Sequence, residues 1–336
     1  MVAVSGGCGD ATMDEDGWVQ ALSRLTPVPA QYARPTVSRD EAARFLRCSV
    51  ETLEALAGNG LPCEPGFDQF DLINLALRAR PGGSIPEISL GLLLRFITQD
   101  ASAWVSPMQW KFTFTGICGS GSPSGGSRSG EPTHGPGQGW VLWPPSEASD
   151  MALTPSGEGP IVAAGRQMSF SCKVLTDGLP GRIVSAEIRA IVDEILDAGY
   201  VFTRMPNVVQ RDAAWMREHR IFDCVSISAE LERRFIDRGV QCRTRYGWLA
   251  ALAASGHAWI EVLDEDGQWK AIDLALRALA AILYPDHRAF QEFCLGSRLN
   301  RLLPTECPID RPLVSHVCDV AVDERDYAVA VQQVGR

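Results

Sequence analysis

The chain has 336 residues, is 46% hydrophobic, and carries 31 Lys and Arg against 41 Asp and Glu, a net charge of -10. That length exceeds one typical domain, so two domains are expected. The basic residues are scattered, which argues against nucleic-acid or anionic-membrane binding and leaves a peptide, a protein or a small amide as the expected substrate or partner.

The ten cysteines form no CxxC pair and no zinc-ligand spacing, so no metal or other cofactor is called for. Each thiol is by default a small buried hydrophobe. The opening MVAVSGGCGDATMDEDGW lacks a basic flank followed by an apolar run, so no secretory signal is visible. No stretch approaches the ~20 apolar residues of a membrane span. The expected location is the cytoplasm.

Residues 1–35 are acidic and then Pro-rich, and read as a flexible lead in which Trp18 to Leu25 can form a short amphipathic helix. Residues 36–100 follow a helical plan. Ser38 stands three residues before Glu41, a capping-box spacing, with Ala42, Phe45 and Leu46 at helical intervals. Ser49 caps a second helix that Gly58 and Gly60 stop, and a Gly/Pro break separates two more. The stretch 36–96 resembles the small MerR/excisionase-like helix-turn-helix modules, whose second helix enters the major groove with basic or amide side chains. That resemblance implies a non-catalytic, DNA-binding regulator as one function class. Here Glu51 and Glu54 occupy the reading helix, so a helical scaffold for a protein partner or for the second domain is favoured.

Residues 101–180 change to alternation and predict three strands, MQWKFTFTGIC, GWVLW and RQMSFSCKVL. A Gly/Ser/Pro-rich insert at about 118–139 has nothing to bury and is expected to be disordered, with His134 exposed in it. Residues 181–336 then open with a helix whose stripe is Ile183, Ile188, Ile191, Val192 and Ile195, capped by Ser185. NVVQRDAAWMREHRIF gives a second short helix. A final hairpin, LVSHVCDVAV and YAVAVQQV, closes the chain, and His287 and His316 read as structural.

The chemistry concentrates between Asp223 and Leu276. Cys224 opens a helix with Ile227, Leu231 and Phe235 on one side and Gly239 at its end. A thiol there meets unpaired N–H groups and the positive end of the dipole, which stabilise a thiolate and can hold an oxyanion. Asp223 opposes that charge yet is a good cap. His257 enters the strand HAWIEVL and shares a face with Trp259 and Glu261. DEDG signals a hairpin, and the return strand places Trp269, Ala271 and Asp273 on one face. A loop of three or five residues keeps His257 and Asp273 on one face; two or four residues separate them unless a bulge intervenes. Cys, His and Asp in this order are a nucleophile, a base and an orienting acid. Cys242, in the next strand, is a second candidate nucleophile.

These residues resemble the transglutaminase-like core, a relative of the papain-like fold. That family has a helix beginning at the nucleophilic Cys, a Gly-apolar-x-x-Arg step, a His-x-Trp-x-Glu-Val strand and a Trp-x-x-x-Asp strand. Cys224, Gly239 to Arg243, His257 with Trp259 and Glu261, and Trp269 with Asp273 occupy those places. The resemblance covers residues 182–281. It implies an α+β fold, a Cys-bearing helix packed on an antiparallel sheet bearing His and Asp, behind a small helical helix-turn-helix-like domain. It also implies Cys224 as nucleophile, His257 as base and Asp273 as orienting acid in acyl transfer through a thioester, resolved by water or by an amine. Trp259 and Trp215 are the candidate substrate-binding residues. The chain departs from the family before the Cys, where IFDCVSIS lacks a small residue.

Overall fold

The computed structural model describes residues 14–118, 139–146, 148–149, 159–317 and 327–334. The expected insert at about 118–139, His134 within it, and the segment joining the last two strands lie almost wholly outside the described residues. The fold is α+β. It divides into two compact units, residues 1–92 with 201–223, and residues 93–200 with 224–336.

The first unit is helical. Glu15–Leu22, Arg39–Leu46, Val50–Gly58 and Gln69–Ala79 bury Trp18, Leu46, Leu53, Leu56, Leu72 and Leu75 together. Each helix begins where a short polar side chain satisfies its orphan amides. Ser38 accepts from the Glu41 amide while Glu41 reaches back to the Ser38 amide at 3.0 Å, a full capping box. Ser49 accepts from the Thr52 amide at 3.1 Å, and Asp68 from Phe70 at 2.7 Å. Arg47, left-handed at φ 54°, makes the tight turn between the second and third helices.

Residues 15–35 are not simply a flexible lead. Trp18 is 2% exposed in the unit's core, and the Val28 amide donates to Asp71 at 2.8 Å, so burial and a hydrogen bond order the segment. The unit also holds Val201–Asp223, assigned from sequence to the C-terminal core. Asn74 explains this, with its amide nitrogen on the Arg204 carbonyl at 2.7 Å and its oxygen accepting from the Arg204 amide at 2.8 Å. The expected single helix there is two, Asn207–Gln210 and Ala213–Glu218. Leu93 to Asp100, expected with the helical module, belongs to the second unit.

In the second unit the alternating stretches form Met108–Ile117, Gly139–Leu142 and Gln167–Thr176. Trp110, Phe112 and Phe114 alternate inward with Phe170, Cys172 and Val174 to build one core. Among the described residues the two expected strands of the final hairpin do not pair with each other. Val314–Val317 pairs with Gly139–Leu142, whereas Tyr327–Gln333 pairs with Met108–Ile117 in a different sheet. The third sheet is antiparallel in the order Leu295–Gly296, Trp269–Ile272, Ser255–Leu263, Cys242–Leu249, Leu302–Thr305. Helix Cys224–Asp237 packs against its two longest strands. Among the described residues no helix is long and apolar enough to cross a membrane.

Candidate active site

Cys224 is the first residue of a fourteen-residue helix that buries Val225, Ile227, Leu231 and Phe235. The helix stops at Gly239, left-handed at φ 71°, where the Val240 amide returns to the Phe235 carbonyl at 2.8 Å. Its first turn therefore sits at a fixed height on the sheet. The thiol itself is half-buried.

His257 lies in strand Ser255–Leu263, 5% exposed. Its hairpin partner is set by the register Trp269↔Leu263 through Ile272↔Ile260, which leaves the five residues Asp264–Gln268 as the loop. An odd loop preserves parity, and Asp273 falls on the His257 face. The imidazole Nε2 meets Asp273 Oδ2 at 2.6 Å. A carboxylate only accepts, so Nε2 carries the proton of that bond. The other ring nitrogen is then the one left for the Cys224 side chain, which also hydrogen-bonds the imidazole.

The electrostatics of the imidazole follow from these neighbours. Burial works against its charged form, but the Asp273 charge and hydrogen bond, then the Cys224 contact, outweigh burial and raise its pKa to about 10. Asp273 is held in turn. Its Oδ1 accepts from the Leu276 amide at 2.9 Å, capping helix Leu274–Leu283, and its own amide donates to the Cys294 carbonyl at 2.9 Å. One oxygen caps and the other orients.

Trp259 and Glu261 continue the His257 face. Trp259, expected to line a substrate site, is 1% exposed in the core, its ring parallel to the imidazole within 17° at 6.3 Å. Its size and apolarity draw it behind the imidazole, where it supports the ring instead of offering a surface to a ligand. Glu261 pairs with Arg243 at 2.7 Å, and that guanidinium lies 4.3 Å over the Trp269 ring. The Gly-to-Arg step of the sequence thus ends in a brace on the strand that bears His257. Trp215 belongs to the other unit, where it stacks on His219 at 4.1 Å and packs with Val28 and Met205.

The remaining thiols have different surroundings. Burial, then the Glu232 carboxylate, pushes the Cys242 thiol up, and its sulfur faces the Glu232 carbonyl at 3.9 Å. Burial, then the Asp273 charge, pushes Cys294 well above the ordinary range. Burial takes Cys172 up to about 12. Among the described residues, no group of three or more His, Cys, Asp or Glu side chains is arranged to hold a metal ion.

Two contributors were not read from the sequence. Asp264 passed as a turn residue, yet it is 3% exposed and its carboxylate accepts from the Val184 and Ser185 amides at 2.6 and 2.9 Å, tying the hairpin to the next helix. Gly247 lies opposite His257, and a Cβ there would come 2.1 Å from the Leu303 carbonyl oxygen. No local spacing marks either role.

No protein-family model matches this chain, and no curated protein matches it. Among solved structures, a protein of Cytophaga hutchinsonii described as a "Putative Cysteine Protease" is similar, with a TM-score of 0.38 and 8% identity, over 69% of this chain and 92% of that one.

Proposed function

We propose that this protein is a cysteine-dependent acyl-transfer enzyme, a hydrolase or transamidase of peptides or other amides, with Cys224 as nucleophile, His257 as base and Asp273 as orienting acid. The observation that carries the reading is the imidazole itself, hydrogen-bonded to Asp273 at 2.6 Å on one side and to the Cys224 side chain on the other. With His257 already holding the proton as the imidazolium that Asp273 favours, the Cys224 sulfur forms a bond to the substrate carbonyl carbon and the carbonyl π electrons move onto oxygen. The amides at the start of the helix that opens at Cys224 are suited to that oxyanion. Collapse of the tetrahedral intermediate breaks the C–N bond, and the imidazolium gives its proton to the departing amine, leaving a thioester. Water or a second amine, deprotonated by His257, then attacks the thioester and the thiol leaves with its proton restored. Asp273 stabilises the imidazolium throughout and fixes which nitrogen faces the sulfur.

The test is site-resolved alkylation with dilute iodoacetamide near neutral pH, read by peptide mass spectrometry. Cys224 is expected to react fastest among the thiols, and His257→Ala to slow it at least about tenfold. If Cys224 reacts no faster than Cys48 or Cys63, both half-buried in the other unit, the proposal is lost.

A further inference from the structure

The turn at Gly239 fixes the far end of helix Cys224–Asp237, but its first turn is entered from the stretch Val201–Asp223. The boundary between the two units falls at the Asp223–Cys224 peptide. Two short strands upstream of it, Val201–Phe202 and Ile221–Phe222, run parallel, with Val201 opposite Ile221 and Phe202 opposite Phe222. The Val201 amide donates to the Arg220 carbonyl at 2.9 Å, and the Thr203 amide to the Phe222 carbonyl at 2.8 Å. The rings of Phe202 and Phe222 meet edge to face at 5.9 Å. After Phe222 come Asp223, 3% exposed, and then Cys224.

An isolated pair of such short strands is not stable in water. This one is held from helix Gln69–Ala79. Asn74, 2% exposed, grips Arg204 through both atoms of its amide, donating to the carbonyl at 2.7 Å and accepting from the amide at 2.8 Å. One turn on, Arg78 Nη2 donates to the Thr203 hydroxyl at 2.9 Å, and that hydroxyl donates to the Val201 carbonyl at 3.1 Å. Thr203 is fully buried. A connected path thus runs from Asn74 and Arg78 through residues 201–204 to the Phe222 carbonyl. Satisfied buried polar groups of this kind specify one arrangement of the chain. Arg220, at the entry to the second strand, is left-handed at φ 51°, a conformation that a non-glycine residue keeps only where its surroundings enforce it.

We propose that Asn74 and Arg78 are positioning residues of the Cys224 site. By holding Phe222 they set how the chain enters helix Cys224–Asp237, and so keep the sulfur against the imidazole of His257. This rests on the reading of Cys224 and His257 as a reacting pair. Helix ends fray, and slack in the strand ahead of this one frays the turn that carries the thiol. A small displacement is enough, since a misplacement of ~1 Å can lower a rate ~100-fold.

The experiment is a double-mutant cycle on the full chain, read by site-resolved iodoacetamide labelling near neutral pH. Asn74→Ala and Arg78→Met are each made in the wild type and in His257→Ala. Either change is expected to slow Cys224 labelling at least about fivefold in the wild type, and less than about twofold in His257→Ala, where the pairing is already gone. Cys48 and Cys63, in the same unit as Asn74, report whether that unit stays folded. Arg78→Met removes one hydrogen bond and keeps the aliphatic stem, so it carries the test if Asn74→Ala loosens the unit. Unchanged Cys224 labelling, or equal slowing in the two backgrounds as a merely structural role requires, overturns the proposal. Failure of the underlying reading is seen separately in the parent proteins, as Cys224 labelling no faster than Cys48 and Cys63 or not slowed by His257→Ala.

Discussion

Replacing Asp273 by Asn removes one charge and turns the atom that faces the imidazole Nε2 from an acceptor into an NH2 donor, so the hydrogen bond to His257 is lost with the charge. The amide oxygen of Asn can still accept from the Leu276 amide, so the cap of helix Leu274–Leu283 is kept while the imidazole loses its counter-ion. In the wild type the folded pKa of His257 is raised from 6.5 to about 10. A raised histidine contributes stability that is complete below the unfolded value and is lost as pH climbs through the folded one. Between pH 6.5 and 8.5 the folded chain's proton excess over the unfolded chain at this site rises from about one half to nearly one. At about 1.36 kcal/mol per pH unit for a full proton, the wild type therefore loses about 2 kcal/mol across that window. With Asp273→Asn, burial dominates, the folded pKa falls, and the slope flattens or reverses. The assay is urea unfolding of both proteins at half-unit steps from pH 6 to 9. Thiols raised by burial add a slope of the same sign above pH 8; the part from Cys172 is common to both proteins, but Cys294 also feels the Asp273 charge, so the two proteins are compared below pH 8. A wild-type slope that persists in the variant would refute the claim that Asp273 holds the imidazole charged.

Asp71 gives a second pH signature, in the other unit. It is 1% exposed, and burial pushes its carboxyl up to about 7 from 3.8, the Val28 amide bond opposing and Asp68 adding to the rise. Folding favours its protonated form, so this contribution is full below pH 3.8 and lost as pH rises through about 7. Asp71→Asn is expected to stabilise the protein at pH 8 by up to about 4 kcal/mol and to change little at pH 4. Equal gains at both pH values in thermal unfolding would count against it. Gly247→Ala puts a methyl 2.1 Å from the Leu303 carbonyl oxygen, so strand Leu302–Thr305 must shift. The expected loss is about 1–3 kcal/mol by urea titration, and an unchanged midpoint contradicts it.

Local patterns made much of this architecture legible. The capped helices at Ser38, Ser49 and Ser185, the alternating strands and the helix opening at Cys224 all announce themselves within a few residues. The hairpin between His257 and Asp273 was legible only as a condition, because Asp264 can count as strand or as loop and the face of Asp273 depends on which. Its carboxylate decides the matter by accepting from Val184 and Ser185, 80 and 79 residues away. Contacts of that kind leave no periodicity. The same holds for Asn74 and Arg204, 130 residues apart, which draw Val201–Asp223 into the first unit. Trp259 was misplaced for a related reason, since alternation assigns a residue to a face without saying whether that face is covered.

The double duty of Asp273 has a consequence for how the site opens. Helix ends fray, and amide hydrogens exchange with solvent when they do. Here the first turn of Leu274–Leu283 cannot unwind without moving the carboxylate that orients His257. Fraying at this terminus and release of the imidazole are therefore one event. The Leu276 amide, which takes no part in the proposed chemistry, becomes a clock whose exchange rate counts how often the imidazole is let go.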